Sequence, residues 1–408
     1  MGHHKTFSDK PTLDASVWKP VFNIGLGLGI VGLGASLGVG LGGDEGTQNN
    51  FYFSWLVSFF FWFSIAVGGL VFVLFHHLSR GSWSAGLRRL AENFAFNLPV
   101  MAVLFIPVII GMHHLYHWTH EDVMATDKIL QHKAGYLNSG FFIGRAIFYL
   151  VVLSGAAWFF RTQSVAQDAD GDPKHTHKMR RAAPVLMMFT AMSVTFAAFD
   201  WLMSTDPHWF STMFGVYTFA GCMVSLYACL GLSSMWLQSN GALTNTITVG
   251  NLHDVGKMLF GFVIFWAYVS FSQYMLIWYA NIPEETAWFF MRKHNGWENL
   301  FWVLAFGHFL APFFVLMSRH MKRNRKVLGL VSAWLLVLHY LDLYYVVMPT
   351  MPHEGAGHGG PHFHWLNVAT WVGMGGIFVA MYARRFASGA IVAHKDPQLI
   401  ASMEYDNV

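Results

Sequence analysis

Cysteine and charge are both scarce in this chain. Only Cys222 and Cys229 occur among 408 residues, seven positions apart in one apolar stretch. There is no Cys-x-x-Cys-His run for covalent haem, and two thiols cannot supply the four ligands of an iron–sulfur cluster, so both read as core packing. Charged residues make up only 12% of the chain against 54% hydrophobic, where soluble proteins carry about a quarter charged. A glycine-rich phosphate loop is missing too: the glycine runs fall in apolar stretches or in the His-rich segment Gly355 to Gly360, so no nucleotide-binding motif is recognisable. The formal charge of +3 does not point to nucleic acid, because the basic residues follow a different logic. Residues 1 to 19 are polar and lack a cleavable-signal pattern, which leaves membrane insertion to the first apolar span.

Ten such spans are present, at 20–42, 51–77, 93–116, 136–160, 184–205, 211–237, 253–281, 297–318, 327–349 and 363–383. Each is long enough to cross a hydrocarbon core of about 30 Å, which takes about 20 helical residues. Of the 25 Lys and Arg, 20 lie in the two tails or around the connections after spans 2, 4, 6 and 8. Lys128, Lys133, Arg292 and Lys293 lie in the opposite loops, and Arg145 sits inside a span. Basic residues of short loops stay cytoplasmic, so both termini are expected on the cytoplasmic side. The expected fold is all-α and polytopic: an N-terminal tail (1–19), a Gly-rich first span and loop (20–50), two four-helix bundles (51–210 and 211–350), and a final outer loop, span and tail (351–408). Span 1 carries Gly25-x-x-x-Gly29 and Gly34-x-x-x-Gly38, small residues that let helix backbones approach closely. Tight packing on a neighbour is expected there, another subunit included.

Polar residues inside the spans are the candidate functional groups. Arg145, Asp200, Lys257 and Asp342 each cost about 2.5 to 3.5 kcal/mol at a membrane centre, so such residues face protein or water and commonly mark ion or proton paths. Span 5 reads Asp200-Trp-Leu-Met-Ser-Thr-Asp-Pro207 and span 9 reads Asp342-Leu-Tyr-Tyr-Val-Val-Met-Pro349. In both, an acid precedes a helix-ending proline by seven residues, roughly 10 Å below the outer surface at 1.5 Å per residue. Because the two spans enter from the same side, spans 2–5 and 6–9 read as a repeat. His339 shares a helix face with Asp342; acid and imidazole there form either a proton relay or a buried pair that fixes packing. On the opposite side, His253, Asp254 and Lys257 open span 7, followed at helical spacing by Gly261, Ile264, Tyr268 and Ser272. That is either a polar path inward or a Lys257 that snorkels to the interface beside Asp254. His308, near the middle of span 8, is placed to bridge the two halves. His308 and His339 are also roughly level, as a haem b pair would be, although the tyrosines beside His339 crowd that site.

Metal motifs are weak. Asp168, Asp170 and Asp172 resemble the start of a calcium loop whose later glycine and glutamate are missing, and a solvated connector is the favoured reading. His175-x-His177 and the cluster His358, His362 and His364 bring no carboxylate or thiol at ligand spacing.

The runs Phe199-Asp-Trp-Leu-Met-Ser-Thr-Asp-Pro-His-Trp-Phe-Ser-Thr-Met-Phe-Gly-Val-Tyr217, His253-Asp-Val-Gly-Lys-Met-Leu-Phe260, Phe271-Ser-Gln-Tyr-Met-Leu-Ile-Trp-Tyr-Ala-Asn-Ile-Pro-Glu-Glu285 and His339-Tyr-Leu-Asp-Leu-Tyr-Tyr-Val-Val-Met-Pro349 closely resemble the F subunits (ActF) of bacterial alternative complex III, within the NrfD-like, polysulfide-reductase-type membrane family. The likeness spans about residues 20 to 390. It implies ten helices in two four-helix bundles, and a complex that oxidises menaquinol and reduces a periplasmic cytochrome c or similar carrier. It also implies that haem and iron–sulfur centres reside in other subunits, next to a larger NrfD-like sister, the C subunit. For this chain the expectation is a subunit without a redox metal, with Asp200, Arg145, His339 and Asp342 on the outer side and His253, Asp254, Lys257, Tyr268 and His308 leading inward as a proton path. The alternatives are a structural anchor with a vestigial quinone pocket and a free-standing proton or ion transporter.

Overall fold

A computed structural model describes residues 7–352 and 359–405, and helices with short connecting turns make up its regular structure. Ten helices among the described residues are long and apolar enough to cross a membrane: α1 (Ala15–Gly42), α2 (Glu45–Ser79), α3 (Ala85–Ile110), α4 (Ser139–Asp170), α5 (Lys174–Thr205), α6 (Phe214–Ser239), α7 (Val249–Ala280), α8 (Trp297–Met317), α9 (Arg325–Thr350) and α10 (Trp365–Arg384). The chain is an all-α polytopic membrane protein.

The helix ends follow local chemistry. Thr248 and Asn251 form a reciprocal capping box that starts α7, satisfying two backbone donors that the first turn leaves free. Gly171 takes the left-handed conformation (φ 74°) that closes α4, and Pro173 and Lys174 begin α5 two residues later. α3 is a broken rod. It interrupts near Phe96–Asn97 and again at Phe105, because Pro99 and Pro107 offer no N–H to the preceding turns. It also begins at Ala85 rather than near 93, since its first turns carry charged residues that look like a loop in sequence.

α2 is the axis of the molecule, with almost its whole apolar window covered. It touches α3 and α5 on one side and α6, α9 and α10 on the other. Gly68 and Gly69 permit this. A Cβ on Gly68 would lie 2.5 Å from the Cys222 carbonyl of α6, and one on Gly69 would lie 2.7 Å from the Ala91 carbonyl of α3. Helices α2–α5 pack among themselves, as do α6–α9, and the groups meet through α2 and α6.

α1 packs on the last span of its own chain. Gly25, Gly29 and Gly32 face Gly373 and Gly376 of α10, and a Cβ on Gly376 would stand 2.5 Å from both the Gly25 carbonyl and the Gly29 nitrogen. The Gly25-x-x-x-Gly29 spacing thus serves an intramolecular contact, whereas a Cβ on Gly34 or Gly38 would meet nothing within 4 Å.

Candidate functional site

The two acids of the Asp-x6-Pro echo have different surroundings. Asp200 is the last residue but one of the α-helical part of α5, which ends at Trp201. Its carboxylate receives Arg145 Nε at 2.7 Å and Arg145 Nη2 at 3.0 Å, and the Tyr149 hydroxyl donates to it at 2.9 Å. Arg145 and Tyr149 are one turn apart on α4 and so share a face. The guanidinium also donates to the Tyr136 carbonyl at 2.9 Å and lies over the Tyr136 and Phe141 rings. A paired, stacked arginine of this kind satisfies both carboxyl oxygens and joins α4 to α5.

Asp342 sits five residues inside the α-helical part of α9 and has no cationic partner among the described residues. The Tyr217 hydroxyl of α6 donates to one carboxyl oxygen, and the Trp266 indole of α7 donates to the other at 3.1 Å. Both partners are neutral, so this carboxyl can gain or lose a proton without breaking an ion pair. It borders a cavity of about 280 Å³ between α6, α7, α8 and α9. Phe214, Phe271, Phe289, Phe309 and Tyr345 make the walls mostly aromatic, and Ser270 and Gln273 add polar groups. Phe271 and Phe301 of this lining are also exposed on the surface of the spans, so the cavity opens sideways. Apolar clefts with a few converging polar groups are the usual form of small-ligand sites.

Two local irregularities shape this cavity. α8 winds as a π-helix over Leu304–Leu310, the widened turn that recurs at functional sites; Leu304, Ala305, Phe309 and Leu310 from it line the space. The turn leaves the Gly307 carbonyl free to accept the Trp334 indole at 2.8 Å. The short helix Pro283–Met291 between α7 and α8 supplies Trp288 and Phe289 to the same cavity. Arg292 pins that helix to α9 by donating to the Tyr345 (3.1 Å), Val346 (2.7 Å) and Trp288 (2.9 Å) carbonyls while stacking on Trp288. Full burial pushes the Arg292 guanidinium down to about 9. Three carbonyls and an indole face replace the water it loses.

His308 is buried in the π-turn with its ring 4.0 Å from Trp266, edge to face, and its two ring nitrogens find no partner among the described residues. His339 is one turn inward of Asp342 but turns away from it: its Nε2 meets the Ser64 hydroxyl of α2 at 2.9 Å, and Ser64 lies 3.3 Å from Ser225 of α6. A Cβ on Gly221 would lie 2.8 Å from the His339 ring. With His339 engaged by Ser64 and packed against the α6 backbone, and His308 packed on Trp266, the residues do not fit an axial pair for haem. Asp342, Tyr217, Trp266 and His308 form a seam within the α6–α9 group, and His339, Ser64 and Ser225 form a second polar group where α9 meets α2 and α6.

Other sequence-picked residues stand apart from that seam. Tyr268 lies on the uncovered face of α7, 64% exposed; Gly261 and Ile264 share that face. The stripe therefore points out of the chain, and Val263, Trp266 and Gln273 form the buried face. His253 and Asp254 are buried at the start of α7. Lys257 pairs with Asp254 at 2.7 Å and keeps a side chain 41% exposed, which is the geometry of a snorkelling lysine. Lys322 lies nearby over the Phe260 ring; burial, then Lys257, pull it below the usual lysine range. Phe260 and Phe313 stack between this group and the middle of the chain, and no hydrogen bond among the described residues joins it to Asp342.

Sequence reading assigned no role to Tyr149, Tyr217 and Trp266, which reach the two acids from other helices. It also hid a buried ionic knot. Arg88 and Arg89 read as loop charges, yet both are fully buried. Arg88 pairs with Glu92 (3.0 Å) and Asp396, Arg89 with Glu92 (3.2 Å) and Asp168 (2.5 Å), and Arg161 approaches Glu92 at 3.7 Å. The i, i+3 and i+4 spacing of Arg88, Arg89 and Glu92 was the available signal. Asp168 thus belongs to a helix anchored on Arg89, in place of the solvated connector expected there. His175 bonds to Asp170 at 3.0 Å and to Gln163 at 2.9 Å. No group of three or more His, Cys, Asp or Glu with metal-binding geometry occurs among the described residues; His358 lies outside them. No protein-family model and no curated protein matches this chain.

Proposed function

We propose that this chain is a membrane subunit of a quinol-oxidising respiratory assembly in the bacterial inner membrane, that it holds no redox metal itself, and that its Asp342 cavity is where it exchanges protons. On this reading both termini are cytoplasmic. The electron-carrying partners are an iron–sulfur subunit, a cytochrome c subunit and a larger NrfD-like sister. The observation that carries the proposal is the contrast between the two echoed acids: Asp200 is locked to Arg145, whereas Asp342 has neutral donors and an adjoining cavity. Two of the motifs that resemble the alternative complex III F subunits, Phe199–Tyr217 and His339–Pro349, contain these carboxyls and Tyr217. His308, against Trp266, and the His339–Ser64–Ser225 group, one turn before Asp342 on α9, are the candidate next stations for a proton.

A second reading is favoured by the cavity itself. Aromatic walls, a sideways opening and Tyr217, Gln273 and Asp342 at hand suit the ring of a menaquinone, with its chain left in the lipid. The free-transporter alternative makes a different prediction on extraction, whereas a structural anchor would keep proton release unchanged when Asp342 is neutralised. Solubilised gently, a subunit of this assembly leaves the membrane with haem absorbance that two buried thiols and packed histidines do not supply. A chain that purifies alone, colourless and monodisperse, would reject assembly membership.

A further inference from the structure

At the end of α2 and the start of α5 a cleft of about 230 Å³ is lined by Arg80, His177, Arg180 and Arg181. None of the three arginines pairs with a carboxylate among the described residues, although pairing is the rule for the other arginines of this region, such as Arg88, Arg89 and Arg161. The Nε of Arg180 is buried and has no hydrogen-bond partner. Arg80 stands at the C-cap of α2 with φ 52°, a left-handed position that glycine fills without strain. The backbone there keeps an arginine side chain at a cost, and that side chain faces the cleft. His177, Arg180 and Arg181 occupy the first two turns of α5, where the helix dipole already makes the potential positive and disfavours cations. Such a concentration of uncompensated donors invites an anion with several acceptor oxygens.

The surface below the cleft says what carries that anion. Arg181, Val185, Met188 and Met192 fall at i, i+4, i+7 and i+11 of α5, on one helical face, and all are exposed. Eleven residues of helix cover roughly 16 Å, about half the thickness of a bilayer core. Phe75 and Leu78, in the last turns of α2 before Arg80, are exposed as well. A cationic cleft at the end of two membrane helices, continued by an apolar strip of half-membrane length, matches a phosphate headgroup followed by acyl chains. We infer that this cleft is a binding site for an anionic phospholipid, with Arg80, Arg180 and Arg181 on its phosphate oxygens and the Val185–Met192 strip along its chains. Guanidinium donors suit phosphate oxygens in geometry and in charge.

The test uses the full chain in whatever assembly it leaves the membrane with, stripped of loosely held lipid. Melting is then followed on titration with phosphatidylglycerol, phosphatidylcholine or inorganic phosphate. Phosphatidylglycerol is expected to raise the melting temperature saturably, and neither of the others to do so. The variant R80Q/R180Q/R181Q should lose that response. R181Q alone alters only an exposed side chain, so it should fold, and should weaken half-saturation on the order of tenfold, one charge-assisted contact. R325Q/K326Q, which removes exposed basic residues elsewhere, should respond as wild type. An equal response to phosphatidylcholine, a full response to phosphate alone, a triple or R181Q variant that still responds as wild type, or an equal loss in R325Q/K326Q would each overturn the inference.

Discussion

Asp200 and Asp342 show how little a residue's identity fixes without its neighbours. The first is held by a two-pronged arginine contact with the Tyr149 hydroxyl as its other side-chain donor, so removing the cation leaves a buried carboxylate without its counter-charge. R145M is therefore expected to lower stability by about 3 kcal/mol, the penalty for stranding one member of such a pair, while R145M/D200L recovers much of it; melting in detergent reads both. His114 offers a test by pH. It lies beyond the end of α3, its Nδ1 is 2.8 Å from Asn49 Oδ1 and its ring stacks on Tyr52; burial, then the neighbouring His113, draw it below the ordinary histidine value. The unfolded chain then binds more protons than the folded one just below the unfolded pKa of 6.5. The stabilising contribution is thus complete above that value and is lost as pH falls through it toward the folded pKa. Melting temperature should drop between pH 7.5 and 5.5, about one unit either side of a histidine's ordinary value, and H114Q should flatten that drop measurably.

The helices were legible from hydropathy because a crossing helix must satisfy its backbone internally and run about 20 residues. The faces of those helices were much less so. α7 illustrates why: a polar stripe through Gly261 and Tyr268 satisfies the eye, but burial is decided by what α6, α8 and α9 present, and Trp266 and Gln273 are the residues turned inward. α3 was cut short because Arg88, Arg89 and Glu92 look like loop residues until their partners Asp168 and Asp396 arrive from far along the chain. The π-turn at His308 has no sequence signal beyond the Pro312 that follows. Glycine spacing in α1 was readable as close packing, but the identity of the partner was not. That contact predicts its own failure: in G376V a side chain must enter where the Gly25 carbonyl and Gly29 nitrogen stand 2.5 Å away. α1 should detach from α10, seen as faster hydrogen exchange across Gly25–Gly40 than in the same region of wild type, with α2 unaffected. Equal exchange in the two proteins would mean that α1 is held by something else.

At the scale of the whole molecule, three buried polar sites differ in kind. The Asp342 seam lies within the α6–α9 group, the ionic knot around Glu92 ties α3 and α4 to the C-terminal segment, and the Arg145–Asp200 pair braces α4 against α5. Of these three, the first combines a carboxyl without an ion pair among the described residues, a cavity and neutral hydrogen-bonding neighbours, which is why the proposed reading puts proton exchange there. The inner group at His253, Asp254 and Lys257 remains behind the Phe260 and Phe313 rings. On the proposed reading, proton exchange is therefore assigned to the Asp342 side of the spans and not to a path through their full length. The central claim is best tested by counting protons released per quinol oxidised in vesicles containing the intact assembly, wild type against D342N, with R145M/D200L as the control. The account predicts that D342N lowers the ratio while quinol oxidation continues and that the control keeps it; an unchanged ratio in D342N would contradict it.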